Sequence, residues 1–293
     1  MALSSNQFYN TLWEHPHEIP HKFITKINDF ATMTVLDLHV GRRVTKLHDA
    51  TERVDLRPRA LERVRATLND FWHELKPDDH VWNVDEVGKF VDALWLHLQP
   101  DLLREIVADK NIQPLKKQIA RYLYAVNNKY YNIVPDDRFG PTGVMVLARK
   151  NISIGQEISY LNMCMSEDLS DDEYEALGSG DKDKPVGMYG FRYPMGRGRR
   201  NEWKIACGPM MYVNHSCDPN CVMELYGGDM VRLRAAKPIN GGDEITWTYS
   251  PNHFKKDCLC PKHKPKVASK TPTKKRSATE SEHYTRSKHS RKC

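Results

Sequence analysis

The sequence predicts an α+β fold in which a helical N-terminal region precedes a β-rich domain. Apolar residues recur at helical spacing up to about residue 128. After Pro135, short β-branched runs alternate with Gly, Asn and Asp turns, which is typical of short strands. The chain has 293 residues, 40% of them apolar and 28% charged, so it can bury a sizeable core in one large domain or two smaller ones.

Three apolar stripes predict helices that pack through one face. The helix around residue 87 has a candidate N-cap at Asn83 with Glu86 three residues later, and Pro114 suits the first turn of the next helix. Such stripes are typical of core packing, so we assign this region to packing and substrate support. The stripes are Leu61, Val64, Leu68, Phe71 and Leu75; Val87, Val91, Leu94 and Leu98; and Leu115, Ile119, Tyr122 and Val126.

The predicted strands include two similar units. Residues Lys150–Ile158 and Lys237–Ile245 share Lys, Ile, Gly, Glu and Ile in matching places, and Gly155 and Gly242 supply the positive φ that the turns need. Between the units, Ser170–Glu173 forms a capping box that predicts a short helix. The predicted strands are Val144–Ala148, Ile158–Leu161, Val222–Leu225, Val231–Arg234 and Glu244–Tyr249.

The composition indicates a cytosolic or nuclear protein. The N-terminus lacks the pattern of a secretory signal, and no apolar run approaches the ~18 residues of a membrane span. Residues from Lys262 to Cys293 carry 11 Lys or Arg against two Glu, which leaves a net −3 for the rest of a chain whose total is +6. This tail is predicted to be disordered and either to contact nucleic acid or to serve as a nuclear address, with mere solubilisation as the alternative.

The segment Asn214–Cys221, with the sequence NHSCDPNC, concentrates polar and metal-capable side chains between apolar neighbours. Buried amides, imidazoles and thiols need partners, so a ligand, a metal or a hydrogen-bond network is expected there. A satisfied turn punctuated by Asp218 and Pro219 is the alternative from the residues alone.

This segment resembles the NHSCxPN signature of SET domains, and Gly241–Tyr249, GGDEITWTY, resembles their GEELTxxY signature. The opening Gly143–Ala148 is similar to the first strand of the same domain. The resemblance implies a pseudoknot of short sheets and methyl transfer from S-adenosylmethionine to a lysine. By the same resemblance, Tyr249 is the catalytic tyrosine, and Gly143, Asn214, His215 and Phe254 bind the cofactor.

The segment Cys258–His263, CLCPKH, lies where this family carries a zinc-binding post-SET segment. Zinc accepts imidazole as well as thiolate, so Cys258, Cys260 and His263 are candidate ligands. Family analogy makes Cys217 the fourth ligand, with Cys221 as its rival. A metal-free, disordered segment is the alternative.

Other stretches, such as Leu169–Leu177 and Tyr130–Asp136, resemble the suppressor-of-variegation 4-20 branch of SET enzymes. This resemblance implies nuclear methylation of histone H4 at lysine 20 on nucleosomes, with the basic tail and the Arg197–Arg200 loop as possible DNA contacts. The alternatives are a methyltransferase for another histone or a non-histone protein, an inactive chromatin-binding SET module, and a zinc-dependent nucleic-acid binder. The expected domains are a helical region over 1–128, a SET domain over 129–250, a post-SET zinc segment over 251–264 and a disordered tail over 265–293.

Overall fold

A computed structural model of the protein describes residues 28–42, 58–73, 84–105, 112–126, 128–165, 170, 190–193, 202–226, 230–249, 258–260 and 263. Several predicted features lie outside these residues: the N-cap Asn83, the helix after Ser170, the Arg197–Arg200 loop, Phe254 and the basic tail. None of the described helices is long and apolar enough to cross a bilayer.

Four helical segments precede the first strand among the described residues. Helix α1 covers residues 28–40, with a π-helical stretch at Thr32–Leu36 and a final turn at Asp37–Val40. It is followed by α2 (Pro58–His73), α3 (Val84–Glu105) and α4 (Ile112–Val126). Pro114 lies in the first turn of α4, as predicted, because this turn needs no backbone donor from it.

The apolar stripes are buried wherever the structure describes their side chains. Helix α4 lies at the centre of the helical region and packs on α1, α3, the first strand and a short 3-10 helix at Pro209–Tyr212. Helices and strands therefore share one hydrophobic core. The buried stripe members are Val64, Leu68, Val87, Val91, Leu94, Leu115, Ile119, Tyr122 and Val126.

In the described part of the chain, three sheets follow the helices. The antiparallel pair β1 (Tyr131–Pro135) and β2 (Val144–Ala148) forms the first. The second is five-stranded, with the order β4-β5-β3-β8-β7, and the third is the parallel pair β6-β9. The remaining strands are β3 (Met163–Met165), β4 (Gly190–Tyr193), β5 (Glu202–Cys207), β6 (Asn214–His215), β7 (Cys221–Tyr226), β8 (Met230–Ala235) and β9 (Thr246–Trp247).

The two predicted repeat units bind each other at equivalent positions. Ile152 and Ile239 exchange both backbone hydrogen bonds, at 2.8 and 3.0 Å. Gly155 and Gly242 have φ values of 80° and 91°, as the repeat predicts. The second unit also pairs with β2, where Ile245 N donates to Val146 O across 2.8 Å and Glu244 lies opposite Leu147.

The prediction of a strand over Ile158–Leu161 is wrong. Leu161 N donates back to Ile158 O across 3.2 Å, and Tyr160 between them has a φ of 66°, so the chain turns there and strand β3 begins only at Met163. The predicted strand Glu244–Tyr249 is also shorter in the structure, where regular pairing is confined to Thr246–Trp247. Strand β1 was not predicted, because the short β-branched runs typical of strands were recognised only after Pro135.

Candidate active site

Strands β6 and β9 bring the two signature segments side by side. They pair in parallel, with Asn214 opposite Thr246 and His215 opposite Trp247. Ser216 N extends the pairing by donating to Trp247 O across 2.9 Å. The convergence of these segments, on which the sequence interpretation depends, is therefore present in the fold.

The turn after β6 satisfies its own polar groups. The Asn220 side chain bridges to the second signature: its Nδ2 donates to Glu244 O at 2.8 Å, and its Oδ1 accepts from Thr246 N at 2.8 Å. Asp218 N donates to the Ser216 hydroxyl at 3.1 Å, and Asp218 pairs with Lys237. The dense polar sequence thus forms a hydrogen-bond network that holds the two segments in register.

The side chain of Asn214 is anchored through its nitrogen. Its Nδ2 lies 3.0 Å from Val144 O, 2.9 Å from Glu244 Oε1 and 3.4 Å from Asp136 Oδ2. These acceptors account for both amide protons. These contacts use only the amide nitrogen, and the amide oxygen is an acceptor that none of them occupies.

Two charged residues around Asn214 were missed from the sequence. Arg138 contacts Asp136 and Glu244, each at 2.7 Å, and thereby joins the loop after β1 to the second signature. Burial alone would lower the pKa of Arg138, but the hydrogen bonds that its guanidinium donates to the two carboxylates outweigh this effect and raise the pKa. Glu244 stands inside a recognisable motif, whereas nothing in the sequence singles out Asp136 or Arg138.

Gly143 closes the same loop by direct backbone contact. Asp136 N donates to Gly143 O at 3.0 Å, and Arg42 of the N-terminal region contacts the same carbonyl. A Cβ atom at this position would lie 2.2 Å from Asp136 O, so only glycine fits. Gly143, which is predicted to bind the cofactor, therefore pairs with Asp136, and Asp136 in turn contacts Asn214. The backbone of this loop also requires glycine at position 143.

Tyr249 is tied at both its backbone and its hydroxyl. Its hydroxyl donates to Val213 O across 2.8 Å, and its backbone N–H donates to His215 Nδ1 across 3.2 Å. The ring lies 5.5 Å from that of His215 and 5.2 Å from that of Trp247. Desolvation of the hydroxyl, followed by the negative charge of Glu244, raises the pKa of Tyr249 well above its ordinary value. The phenol is therefore neutral throughout the physiological range.

Four predicted metal ligands converge at the C-terminal segment. The ligand atoms of Cys217, Cys258, Cys260 and His263 all lie within 4.8 Å of one another. Cys217 Sγ is 3.7 Å from Cys258 Sγ, and Cys260 Sγ is 3.3 Å from His263 Nδ1. Burial of Cys258, together with the neighbouring thiols, raises its pKa above the ordinary value, which a bound cation would reverse.

The rival ligand Cys221 does not join this group. It lies in β7 opposite Ala235, and burial raises the pKa of its thiol to about 12. Cys221 is thus a protonated residue of the core, whereas Cys217 faces the other three ligands. The structure brings together all the predicted site residues that it describes around one segment, with Phe254 outside the described part.

The two signature segments of this site lie within the part of the chain that matches a known family. Residues 143–250 match the SET domain family. Histone-lysine N-methyltransferase SET9 of Phaeosphaeria nodorum is 25% identical over 190 residues, which cover 61% of this chain and 27% of the relative. SET9 of Yarrowia lipolytica is 35% identical over 118 residues, which cover 39% of this chain and 12% of the relative.

The chain therefore covers less than a third of the length of either relative. Among solved structures, the Neurospora SET domain protein DIM-5, a histone lysine methyltransferase, is 22% identical with a TM-score of 0.32. That similarity covers 41% of this chain and 52% of the solved one.

Proposed function

We propose that this chain, whose residues 143–250 match the SET domain family, is a protein lysine methyltransferase that uses S-adenosylmethionine and acts on a histone. The observation that carries the proposal is the convergence of Asn214, His215 and Tyr249 through the β6-β9 pair. The names of the relatives support a histone as the substrate.

The residues around Asn214 fit the amino-acid end of the cofactor. The cofactor is a sulfonium compound that supplies the methyl group and carries an ammonium group. Because Asn214 Nδ2 is held by Val144 and Glu244, its amide oxygen is fixed as an acceptor for an ammonium proton. The carboxylates of Asp136 and Glu244 add negative charge nearby, and Arg138 balances that charge with a cation that can meet a carboxylate.

Tyr249 serves as a positioning oxygen. A free lysine has a pKa of about 10.4, so the enzyme must accept it in the neutral form and align its nitrogen with the methyl group. The phenol of Tyr249 keeps its proton because its pKa is raised, and its hydroxyl donates a hydrogen bond to Val213 O. The lone pairs of the hydroxyl oxygen would then be able to orient the substrate amine and to stabilise positive charge near the sulfonium.

We further propose zinc at Cys217, Cys258, Cys260 and His263. Tetrahedral zinc with bonds of about 2.3 Å to sulfur sets neighbouring sulfurs about 3.8 Å apart. The separation of 3.7 Å between the sulfurs of Cys217 and Cys258 fits that geometry. Zinc at this place would fix the post-SET segment, residues 251–264, beside the SET segment at 129–250.

The finer substrate assignment is lysine 20 of histone H4 on nucleosomes, in the nucleus. The resemblance of Leu169–Leu177 and Tyr130–Asp136 to the suppressor-of-variegation 4-20 branch supports it. The basic tail after residue 264 favours a substrate that carries DNA, because lysine and arginine neutralise phosphates. In this arrangement the helical region, expected over residues 1–128, packs on the SET domain through the contacts of α4 with β1 and the Pro209–Tyr212 helix.

The proposal is tested by incubating the protein with labelled S-adenosylmethionine and recombinant nucleosomes. We expect label in histone H4, its loss when lysine 20 of H4 is replaced by arginine, and a fall of about 100-fold or more for Tyr249→Phe. Tyr130→Phe is the matched control, because that tyrosine lies outside the site.

The other outcomes separate the alternatives. Label that persists after the lysine replacement points to another histone position, and label only in other proteins points to a non-histone substrate. Cofactor binding by calorimetry without any transfer identifies an inactive module. Salt-sensitive DNA binding without cofactor binding would replace the enzyme by a nucleic-acid binder.

A further inference from the structure

The imidazole of His215 stands between the cysteine cluster and Tyr249. Its Nδ1 lies 3.2 Å from Tyr249 N, and its Nε2 lies 3.2 Å from Cys217 Sγ. We infer that the His215 side chain is a positioning residue that couples metal occupancy at Cys217 to the placement of Tyr249. This inference rests on the proposed function and assigns the side chain a role separate from any backbone contact with the cofactor.

The partners of the ring fix its tautomer. The backbone N–H of Tyr249 can only donate, so Nδ1 of His215 accepts and carries no proton. The neutral ring therefore carries its proton on Nε2. That proton is directed at Cys217 Sγ, which makes the imidazole a donor to the sulfur.

The bond to sulfur depends on the state of the thiol. A metal ligand is a thiolate, and a hydrogen bond from a neutral donor to an anion is shorter and stronger than one to a neutral thiol. Groups that hydrogen-bond to metal ligands orient them and tune their affinity for the metal. His215 is buried, with 6% of its surface exposed, so water competes little for this bond.

The other end of the ring transmits its orientation to the tyrosine. The rings of His215 and Tyr249 are 5.5 Å apart with planes at 61°, an edge-to-face contact that a rotation of the imidazole would disturb. The backbone N–H of Tyr249 donates to Nδ1 of His215, and its hydroxyl donates to Val213 O. A shift of the ring therefore moves the backbone anchor of the tyrosine.

Two substitutions separate the ends of the ring. In His215→Asn, the amide oxygen stands near the place of Nδ1 and can accept from Tyr249 N, while the donor to sulfur is lost. In His215→Gln, the amide nitrogen stands near the place of Nε2 and can donate to Cys217, while the acceptor for Tyr249 is lost. Circular dichroism establishes that each variant is folded.

Zinc affinity, measured by competition with a chromophoric chelator, reports on the contact between His215 Nε2 and Cys217 Sγ. We expect His215→Asn to weaken zinc binding about 10- to 100-fold and His215→Gln to change it by less than about threefold. NMR of protein with 15N-labelled tyrosine reports on the contact between Tyr249 N and His215 Nδ1. The Tyr249 amide signal is identified by its absence from the spectrum of Tyr249→Phe. Zinc removal should shift this signal in the unsubstituted protein and leave it in place in both His215 variants.

Equal zinc affinity of His215→Asn and the unsubstituted protein would overturn the coupling. The coupling would also be overturned if zinc removal left the Tyr249 amide signal unshifted in the unsubstituted protein. This test does not depend on whether a His215 variant folds. Both outcomes are compatible with a bound zinc ion, and neither would contradict the proposed methyltransferase function. Failure of the protein to bind zinc at all would instead remove the proposed metal site, and with it the coupling.

Discussion

The side-chain amide of Asn214 donates to the carboxylate of Glu244 across 2.9 Å, which ties one residue of each signature segment to the other. The same carboxylate oxygen lies 2.7 Å from Arg138 Nη2. Glu244 thus orients the Asn214 amide and, at the same time, holds the loop after β1. A single residue of the second segment organises the proposed cofactor end of the site.

Glu244→Gln should therefore weaken cofactor binding. The glutamine keeps an acceptor oxygen but loses the charge that strengthens both contacts, so Asn214 and Arg138 are held less firmly. We expect the KM for S-adenosylmethionine to rise about five- to tenfold, which corresponds to about 1 kcal/mol. Initial rates at varied cofactor concentration measure it.

Glu224→Gln is the matched control, because Glu224 pairs with Arg232 and Arg234 on the five-stranded sheet and has no contact with Asn214. A KM that changes equally in both variants would show that Glu244 acts through general stability and not through the Asn214 amide.

Cys217→Ala should abolish tight zinc binding, whereas Cys221→Ala should retain it. Cys217 Sγ stands with the three other ligand atoms, and the Cys221 thiol is a protonated residue of the core. The two substitutions remove the same atoms from residues four positions apart, so they separate ligation from the loss of a sulfur. Zinc content per protein after dialysis provides the measurement.

We expect about one zinc in the unsubstituted protein and in Cys221→Ala, and much less than one in Cys217→Ala. Removal of zinc with a chelator should also lower methyl transfer, and added zinc should restore it. Retention of one zinc by Cys217→Ala would contradict the assigned ligand set.

Local signals in the sequence predicted the features that local sterics decide. Gly155 and Gly242 adopt positive φ because glycine, which has no Cβ, does so without steric cost. The helical stripe from Leu115 to Val126 is buried because its spacing places these residues on one face of the helix. The strand predicted at Ile158–Leu161 is absent because contacts distant in sequence, and not local preference, decide the structure there. Its β-branched and aromatic residues suit a strand, but pairing with Leu233 ends after one bond and the chain turns at Tyr160.

The candidate site was predicted where it lies in the signature segments and missed where its partners are distant. Asn214, Tyr249 and the four candidate metal ligands were predicted from the resemblance to SET-domain motifs. Arg138 was not, because its role comes from a carboxylate 106 residues further along the chain. His215 was predicted to bind the cofactor, but the two contacts of its ring depend on side-chain placement that spacing does not reveal.

Gly143→Ala should destabilise the loop beside the site. The added Cβ would lie 2.2 Å from Asp136 O and 2.9 Å from Phe139 Cβ, and backbone cannot move aside as a flexible side chain can. We expect a loss of about 1–3 kcal/mol in the free energy of unfolding. Urea denaturation measures it, with Gly155→Ala as the control in which strain arises from φ while the space around the Cβ is open. Weakened cofactor binding should accompany the change at Gly143 and be absent at Gly155.

Two buried tyrosines should respond oppositely to loss of the hydroxyl. Tyr122 donates to Asn28 Oδ1 across 2.9 Å, so Tyr122→Phe leaves a buried acceptor less satisfied and should cost about 1 kcal/mol. The hydroxyl of Tyr131 is buried with no hydrogen-bond partner among the described residues, so Tyr131→Phe should be neutral or stabilising at pH 7. Urea midpoints of the two variants provide the comparison.

The same pair makes a prediction about alkaline pH. Burial raises the pKa of Tyr131 well above its ordinary value of 10.0, with a further contribution from Tyr160. The folded state then holds the phenol proton more tightly than the unfolded state does. The contribution of Tyr131 to the free energy of unfolding is therefore fully present below about pH 10 and is lost as the pH rises towards the folded pKa. Tyr131→Phe removes one such group and should reduce the fall in unfolding free energy between pH 9 and pH 11. An unchanged pH slope in Tyr131→Phe would show that this phenol ionises as readily in the folded chain as in the unfolded one.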